Sequence, residues 1–156
     1  MSNEAVLSKE FESLKKDLIA LYDAKGMRSS GKWADSLEVV TEENQAILYG
    51  EEYSQQLETG RKAGRFPPLN DIKKWILEKG IFTTALQTIT LSSLAFLIAR
   101  KIANEGWKRE KYGGVELIST VITADRMQKI INEVGNVMLV QISTEIITLI
   151  NELEVA

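Results

Sequence analysis

The apolar positions along this chain change their period several times, and each change predicts an element. Val6, Leu7, Phe11, Leu14, Leu18, Leu21 and Tyr22 fall on one side of a helical repeat, opposite Lys9, Glu10, Lys16 and Asp17. That pattern predicts an amphipathic first helix with Gly26 as its terminator. From Trp33 the period becomes two, with Trp33, Leu37 and Val39 on one face, and residues 46–49 form a second short β-prone run. Residues 41–45 between them are polar enough for a turn but lack the Asn-Gly or Asp-Gly signal of a tight hairpin. Tyr53 and Leu57 then sit one turn apart on a short helix that Gly60 ends in a left-handed conformation. Pro68 presets φ for the first turn of the next helix, whose buried face is Ile72, Trp75 and Ile76 and whose stop is Gly80.

Residues 82–99 carry no charge, yet Thr83, Thr84, Gln87, Thr88, Thr90, Ser92 and Ser93 interrupt the run. A membrane-spanning helix needs about 20 predominantly apolar residues, so the expected structure is a Thr-rich connection followed by a buried helix. Thr90 is its expected cap, and Leu91, Leu94, Ala95, Ile98 and Ile102 recur toward the core. Residues 115–122 fit either a strand or a short helix. Met127, Ile131, Val134, Met138, Ile142, Ile146, Leu149 and Leu153 advance at about 3.7 residues per step, which predicts a long, nearly straight helix. Ile130, Val137, Leu139, Val140, Ile147 and Ile150 widen its apolar surface. Two readings follow: part of it faces another subunit, or the helix is buried in its own domain. Gly135, at about 1 kcal/mol in a helix interior, is the place where it would break into two. The fold class expected is α+β, a small antiparallel hairpin sheet packed with several helices and a long C-terminal helix.

Composition narrows the function classes. A chain of 156 residues, 44% hydrophobic and 26% charged, predicts one domain spanning residues 1–156 with a real core. The formal net charge of -3 argues against a dedicated nucleic-acid binder. The sequence has no cysteine and therefore no disulfide framework. Met1-Ser2-Asn3-Glu4 lacks the basic start and apolar core of a signal peptide, so synthesis in the cytoplasm without export is expected. No repeat or low-complexity tract occurs, and residues 25–32 are the linker-like stretch.

Most apparent chemical signals dissolve on inspection. Residues 26–33 match a phosphate-binding loop up to Trp33, which stands where a hydroxyl should hold magnesium. The loop also follows a helix and precedes an expected strand, the reverse of the context that aims backbone amides at phosphate. Without histidine or cysteine, the usual nucleophilic triads and imidazole-ligated metal sites are unavailable. Adjacent acids at Glu42-Glu43 and Glu51-Glu52 diverge on a helix or a strand and read as surface solvation. No catalytic, cofactor-binding or metal-ligating residue is expected, and the chain is not expected to be an enzyme. Two basic clusters remain, Arg61, Lys62 and Arg65, and Lys108, Arg109 and Lys111. Each is either ordinary exposed charge or, repeated around a ring, a positive band for passing DNA or an acidic neighbour.

A family resemblance rests on residues 46–107. Tyr53, Leu57-Glu58-Thr59-Gly60-Arg61, a Gly-containing loop, Pro67-Pro68, Ile72-Lys73-Lys74-Trp75-Ile76 and Lys79-Gly80-Ile81 stand in that order. Ala99-Arg100-Lys101-Ile102 then leads to Gly106-Trp107. The pattern resembles the tail-completion, or head-to-tail joining, proteins of tailed bacteriophages. Lys62-Ala63-Gly64 departs from the Pro-Gly of many relatives, and residues 108–156 read as a longer C-terminal helical extension. The resemblance implies a non-enzymatic virion protein, located in the neck and made in the host cytoplasm. It further implies a ring of copies joining portal or adaptor proteins to tail proteins, with non-specific contact to passing DNA and no membrane. Partner contact is then expected at Gly60, Arg61, Lys62, Gly64, Arg65 and Phe66, and at Met138, Ile142, Ile146 and Leu149. The alternative is a small soluble helix-rich adaptor of non-viral origin that binds one protein partner.

Overall fold

A computed structural model describes residues 1–82, 88–107 and 116–155 of the chain. The elements run α1 (Asn3–Ala24), α2 (Lys32–Ser36), β1 (Glu38–Glu42), β2 (Gln45–Tyr49), α3 (Ser54–Thr59), α4 (Leu69–Glu78), α5 (Leu91–Glu105), α6 (Leu117–Val121) and α7 (Ala124–Val155). The α+β class holds: a two-stranded antiparallel sheet accompanies a predominantly helical chain with a long C-terminal helix. The chain divides into two compact units, one built from residues 1–17, 38–49 and 121–156, the other from residues 18–37 and 50–120.

In the first unit, the start of α1 buries Val6, Leu7 and Leu14, and α7 buries Ile130. Arg126 ties the two helices, with Nη2 2.7 Å from the Asp17 carboxylate and 3.1 Å from Ser13 Oγ. The strands pair from Glu38 with Tyr49 to Glu42 with Gln45, leaving Glu43-Asn44 as the turn. This turn is tight without a glycine, and neither residue has a positive φ. Asn3 Nδ2 donates to Asn44 Oδ1 at 3.1 Å, which anchors the turn to the N-terminus.

The second unit contains the largest buried side chain, Trp33, which is 1% exposed. Its ring lies against Tyr22 with centroids 4.6 Å apart, and its Nε1 donates to Ser54 Oγ at 2.8 Å. Ser54 in turn donates to the Glu51 carbonyl at 2.6 Å, so the indole N–H is satisfied inside the core. The expected strand beginning at Trp33 is instead α2 followed by Leu37 in extended conformation. The spacing of four from Trp33 to Leu37 is a helical turn, and the period of two begins only at Glu38.

The loop before α2 is pinned rather than a free linker. Met27 is buried, Arg28 pairs with Asp23 at 2.7 Å, and Lys79 Nζ donates to the Gly26 carbonyl. The Arg28 hydrogen bond holds the Asp23 carboxyl below its ordinary range. Lys32, the lysine of the phosphate-loop pattern, lies 3.4 Å from Glu51. The pattern runs into the five-residue α2, which begins at Lys32, so the loop opens a short helix, a correction to the strand expected there.

α4 and α5 pack on each other, with Ile76, Ala95 and Ala99 fully buried and Ile72 and Trp75 half-buried. The small alanines let two helix backbones approach closely. Thr90 caps α5, its Oγ1 accepting from Ser93 N at 3.1 Å. Pro68 occupies the cap position with ψ 125°, one residue before the helical turn the sequence assigns it to, and Gly80 closes the helix with φ 65°. With 15 residues, α5 is too short to span a bilayer. Residues 83–87 of the uncharged run lie outside the described residues.

Residues 117–121 are helical, which resolves the ambiguous segment; Val115 lies outside the described residues. Glu58 caps α6: its carboxylate accepts from Ile118 N at 2.6 Å, from Ser119 N and from Ser119 Oγ. Its carbonyl accepts from Glu116 N at 2.9 Å. Glu116 has φ 56° and is the only non-glycine with positive φ among the described residues. A carboxylate at a helix N-terminus satisfies orphan amides and complements the dipole, which offsets that backbone cost.

Burial also raises two phenols. Tyr22 titrates above its ordinary value chiefly through desolvation, and Tyr53 is pushed up to about 12 by desolvation, then by Tyr22 and Glu51. An acid raised in the folded state keeps its proton longer than it does unfolded. The stability these two phenols contribute is therefore fully present below about pH 10, the unfolded tyrosine value, and is lost as pH rises toward 12. Urea midpoints measured across that window are expected to decline, and Tyr53→Phe is expected to flatten the decline. Tyr53 is 37% exposed, so solvent screening keeps the effect small.

Candidate assembly surfaces

Two surfaces carry the residues that the sequence singles out. The first is the loop of residues 60–66 in the second unit. Gly60 ends α3 with φ 79° and ψ -165°, a positive φ but not the left-handed helical pair expected. Arg61 then forms an antiparallel bridge with Trp107: Arg61 N donates to Trp107 O at 2.9 Å, and Trp107 N returns to Arg61 O at 2.8 Å. Gly64 N donates to the Ala103 carbonyl at 2.7 Å. The loop is thereby fastened to the C-terminal end of α5, where the Ala103 carbonyl takes one donor, and to Trp107 just beyond it.

Gly106 permits this crossing. Its φ is 66°, and a Cβ there would stand 2.1 Å from the Arg61 carbonyl oxygen and 2.8 Å from Ala63 N. Arg61 is half-buried, and its Nη2 donates to the Arg65 carbonyl at 3.0 Å, so one of the three basic side chains braces the loop. Lys62, Gly64 and Arg65 are exposed. Phe66 meets Phe96 with centroids 5.7 Å apart, and both are more than 40% exposed. Arg100 follows Phe96 by one turn and is exposed on the same side of α5. The result is a braced loop presenting a small aromatic spot with basic neighbours. Lys108, Arg109 and Lys111, the second basic cluster, lie outside the described residues.

The second surface is α7, in the first unit. It runs through Gly135 without a break. Near its start Ile130 is buried and Met127, Val134 and Val137 are half-buried, whereas Ile131, assigned to the inner stripe by its spacing, is 58% exposed. From Met138 to Leu153 every residue is exposed. Met138, Ile142, Ile146 and Leu149 all lie in this stretch, at 43%, 49%, 51% and 59% exposure. Of the two readings of this helix, burial within its own domain does not hold beyond Val137.

By length and composition, residues 124–153 are apolar enough to cross a membrane, a property the sequence reading placed elsewhere and dismissed. The stretch nonetheless carries Gln141, Thr144, Glu145 and Thr148 along one side, which makes it two-sided rather than apolar all round. A shallow open groove of 720 Å³ lies between Met1-Ser2 and Asn136, Val137, Val140, Gln141, Thr144 and Glu145, so it reaches from that polar side to the apolar Val140. Among the described residues no cluster of three acidic side chains is placed to hold a metal ion. The loop offers an aromatic spot with basic neighbours, and the helix offers exposed apolar area. No family model, no curated protein and no solved structure matches this chain.

Proposed function

We propose that the chain is a non-enzymatic structural subunit that assembles into a ring in the neck of a tailed bacteriophage, joining portal-side to tail-side components. The observation that carries this reading is the exposed apolar half of α7, where large side chains from Met138 to Leu153 have no cover within the chain. Monomeric soluble proteins rarely leave more than a few hundred Å² of contiguous apolar surface uncovered, so the face is an interface in waiting. The resemblance of residues 46–107 to head-to-tail joining proteins supplies the biological setting. The braced loop at residues 61–66 is the second contact, toward a portal, adaptor or tail protein. Its basic side chains offer passing DNA a sequence-independent contact.

Deleting the gene from the phage that encodes it tests the reading. The expected product is DNA-filled heads and separate tails, with joining restored by the chain supplied in trans. Normal particles from the deletion would refute it. A chain recovered from cells only on a single non-virion partner would favour the adaptor.

A further inference from the structure

The apolar face of α7 changes sides along the helix. Counting about 100° per residue, the half-buried and buried set Met127, Ile130, Val134 and Val137 points about 150° away from the exposed apolar set beyond it. The side that continues the intramolecular core turns polar at Gln141, Thr144 and Thr148. The exposed face is therefore not an overrun of the core: the helix meets its own unit on one side and something else on the other.

The spacing on the exposed side identifies that occupant. Leu139, Ile142, Ile146, Leu149 and Leu153 are separated by three, four, three and four residues, the repeat by which α-helices pack knobs into holes on one another. Val140, Ile147 and Ile150 form a second seam, about 110° round the helix from the first at 100° per residue. A single partner helix needs one seam, and two seams fit a neighbour on each side. The nine large apolar side chains from Met138 to Leu153, 43% to 78% exposed, amount to on the order of 900 Å². Shared between two neighbours, it gives each contact about half the area of a standard-size interface, so closure of the ring, in which every copy makes both contacts, has to supply the rest of the stability. After Lys129 the chain has no lysine or arginine, and between Met138 and Leu153 its charged residues are Glu145 and Glu152, neither of which belongs to a seam.

Resting on the assembly reading above, we infer that further copies of this chain cover α7: the seam from Leu139 to Leu153 of one copy packs on the Val140–Ile147–Ile150 seam of the next. The helices run parallel, and each contact is heterologous. An angle below 180° between the two contacts curves the row of helices back on itself until it closes.

The test uses two variants of the full chain, one with Ile146→Gln and Leu149→Gln, the other with Ile147→Gln and Ile150→Gln. All four positions are exposed and Gln favours helix, so circular dichroism should match wild type in both. By native mass spectrometry, wild type is expected as a closed assembly of three or more copies and each variant as a monomer. Mixed one to one, the variants retain a single intact contact and are expected to give a heterodimer and nothing larger. A wild-type dimer that survives the Ile147/Ile150 changes would overturn the two-seam pairing. So would a wild-type monomer that binds phosphatidylethanolamine–phosphatidylglycerol vesicles through α7, or one that stays monomeric throughout. A ring whose mass neither variant alters would sink the α7 pairing while leaving ring assembly intact, and the gene deletion decides the neck assignment separately.

Discussion

Gly106→Ala is expected to destabilise the second unit by about 2–4 kcal/mol. The backbone there has φ 66° and ψ -163°, a region that is essentially glycine-only and costs an alanine about 1–3 kcal/mol. The added methyl would also stand 2.1 Å from the Arg61 carbonyl oxygen, a backbone atom that cannot rotate away. The Arg61–Trp107 bridge must then open, and with it the Gly64–Ala103 hydrogen bond. Hydrogen exchange should show Arg61, Gly64 and Trp107 amides losing protection before the rest of the unit does. Gly135→Ala is the control: it lies inside α7, its Cβ would meet nothing within 4 Å, and a gain of about 0.5–1 kcal/mol is expected. Equal stability of Gly106→Ala and wild type would show that the loop is not held by this crossing.

Trp33→Ala is expected to cost about 3–5 kcal/mol, a large share of a domain stability of about 5–15 kcal/mol. Truncation empties the site beside Tyr22 and removes the donor to Ser54. Trp33→Phe keeps most of the packing and loses only that donor, while Ser54 Oγ still bonds to the Glu51 carbonyl. Its cost should be the smaller. Urea unfolding followed by circular dichroism orders the three proteins, and a Trp33→Ala midpoint indistinguishable from wild type would place the indole outside the core.

The sequence was most legible where a stop or a cap is chemically specific. Gly26, Gly80 and Thr90 end or begin helices as their conformational freedom or hydroxyl suggests, and the hairpin appears where the β-prone runs lie. Trp33 misled because one bulky residue four positions before Leu37 fits a helical turn as well as a strand. What joins Gly106 to Arg61 was hidden for a different reason: the contact is long-range, and a glycine that stops a helix looks the same as one that admits a crossing chain. α7 concealed its change of side because Val137-Met138-Leu139-Val140 is apolar all round, so a continuous stripe can be drawn through the switch. Glu58 as a cap for α6 carried no local signal, since its amide partners lie some 60 residues away.

The most direct measurement is a reconstruction of the particle collar by electron cryomicroscopy. The account predicts a ring of this chain between portal and tail, with residues 139–153 of each α7 enclosed by the same helix of adjacent copies. A collar without this chain, or a ring in which that stretch remains open to solvent, would contradict it.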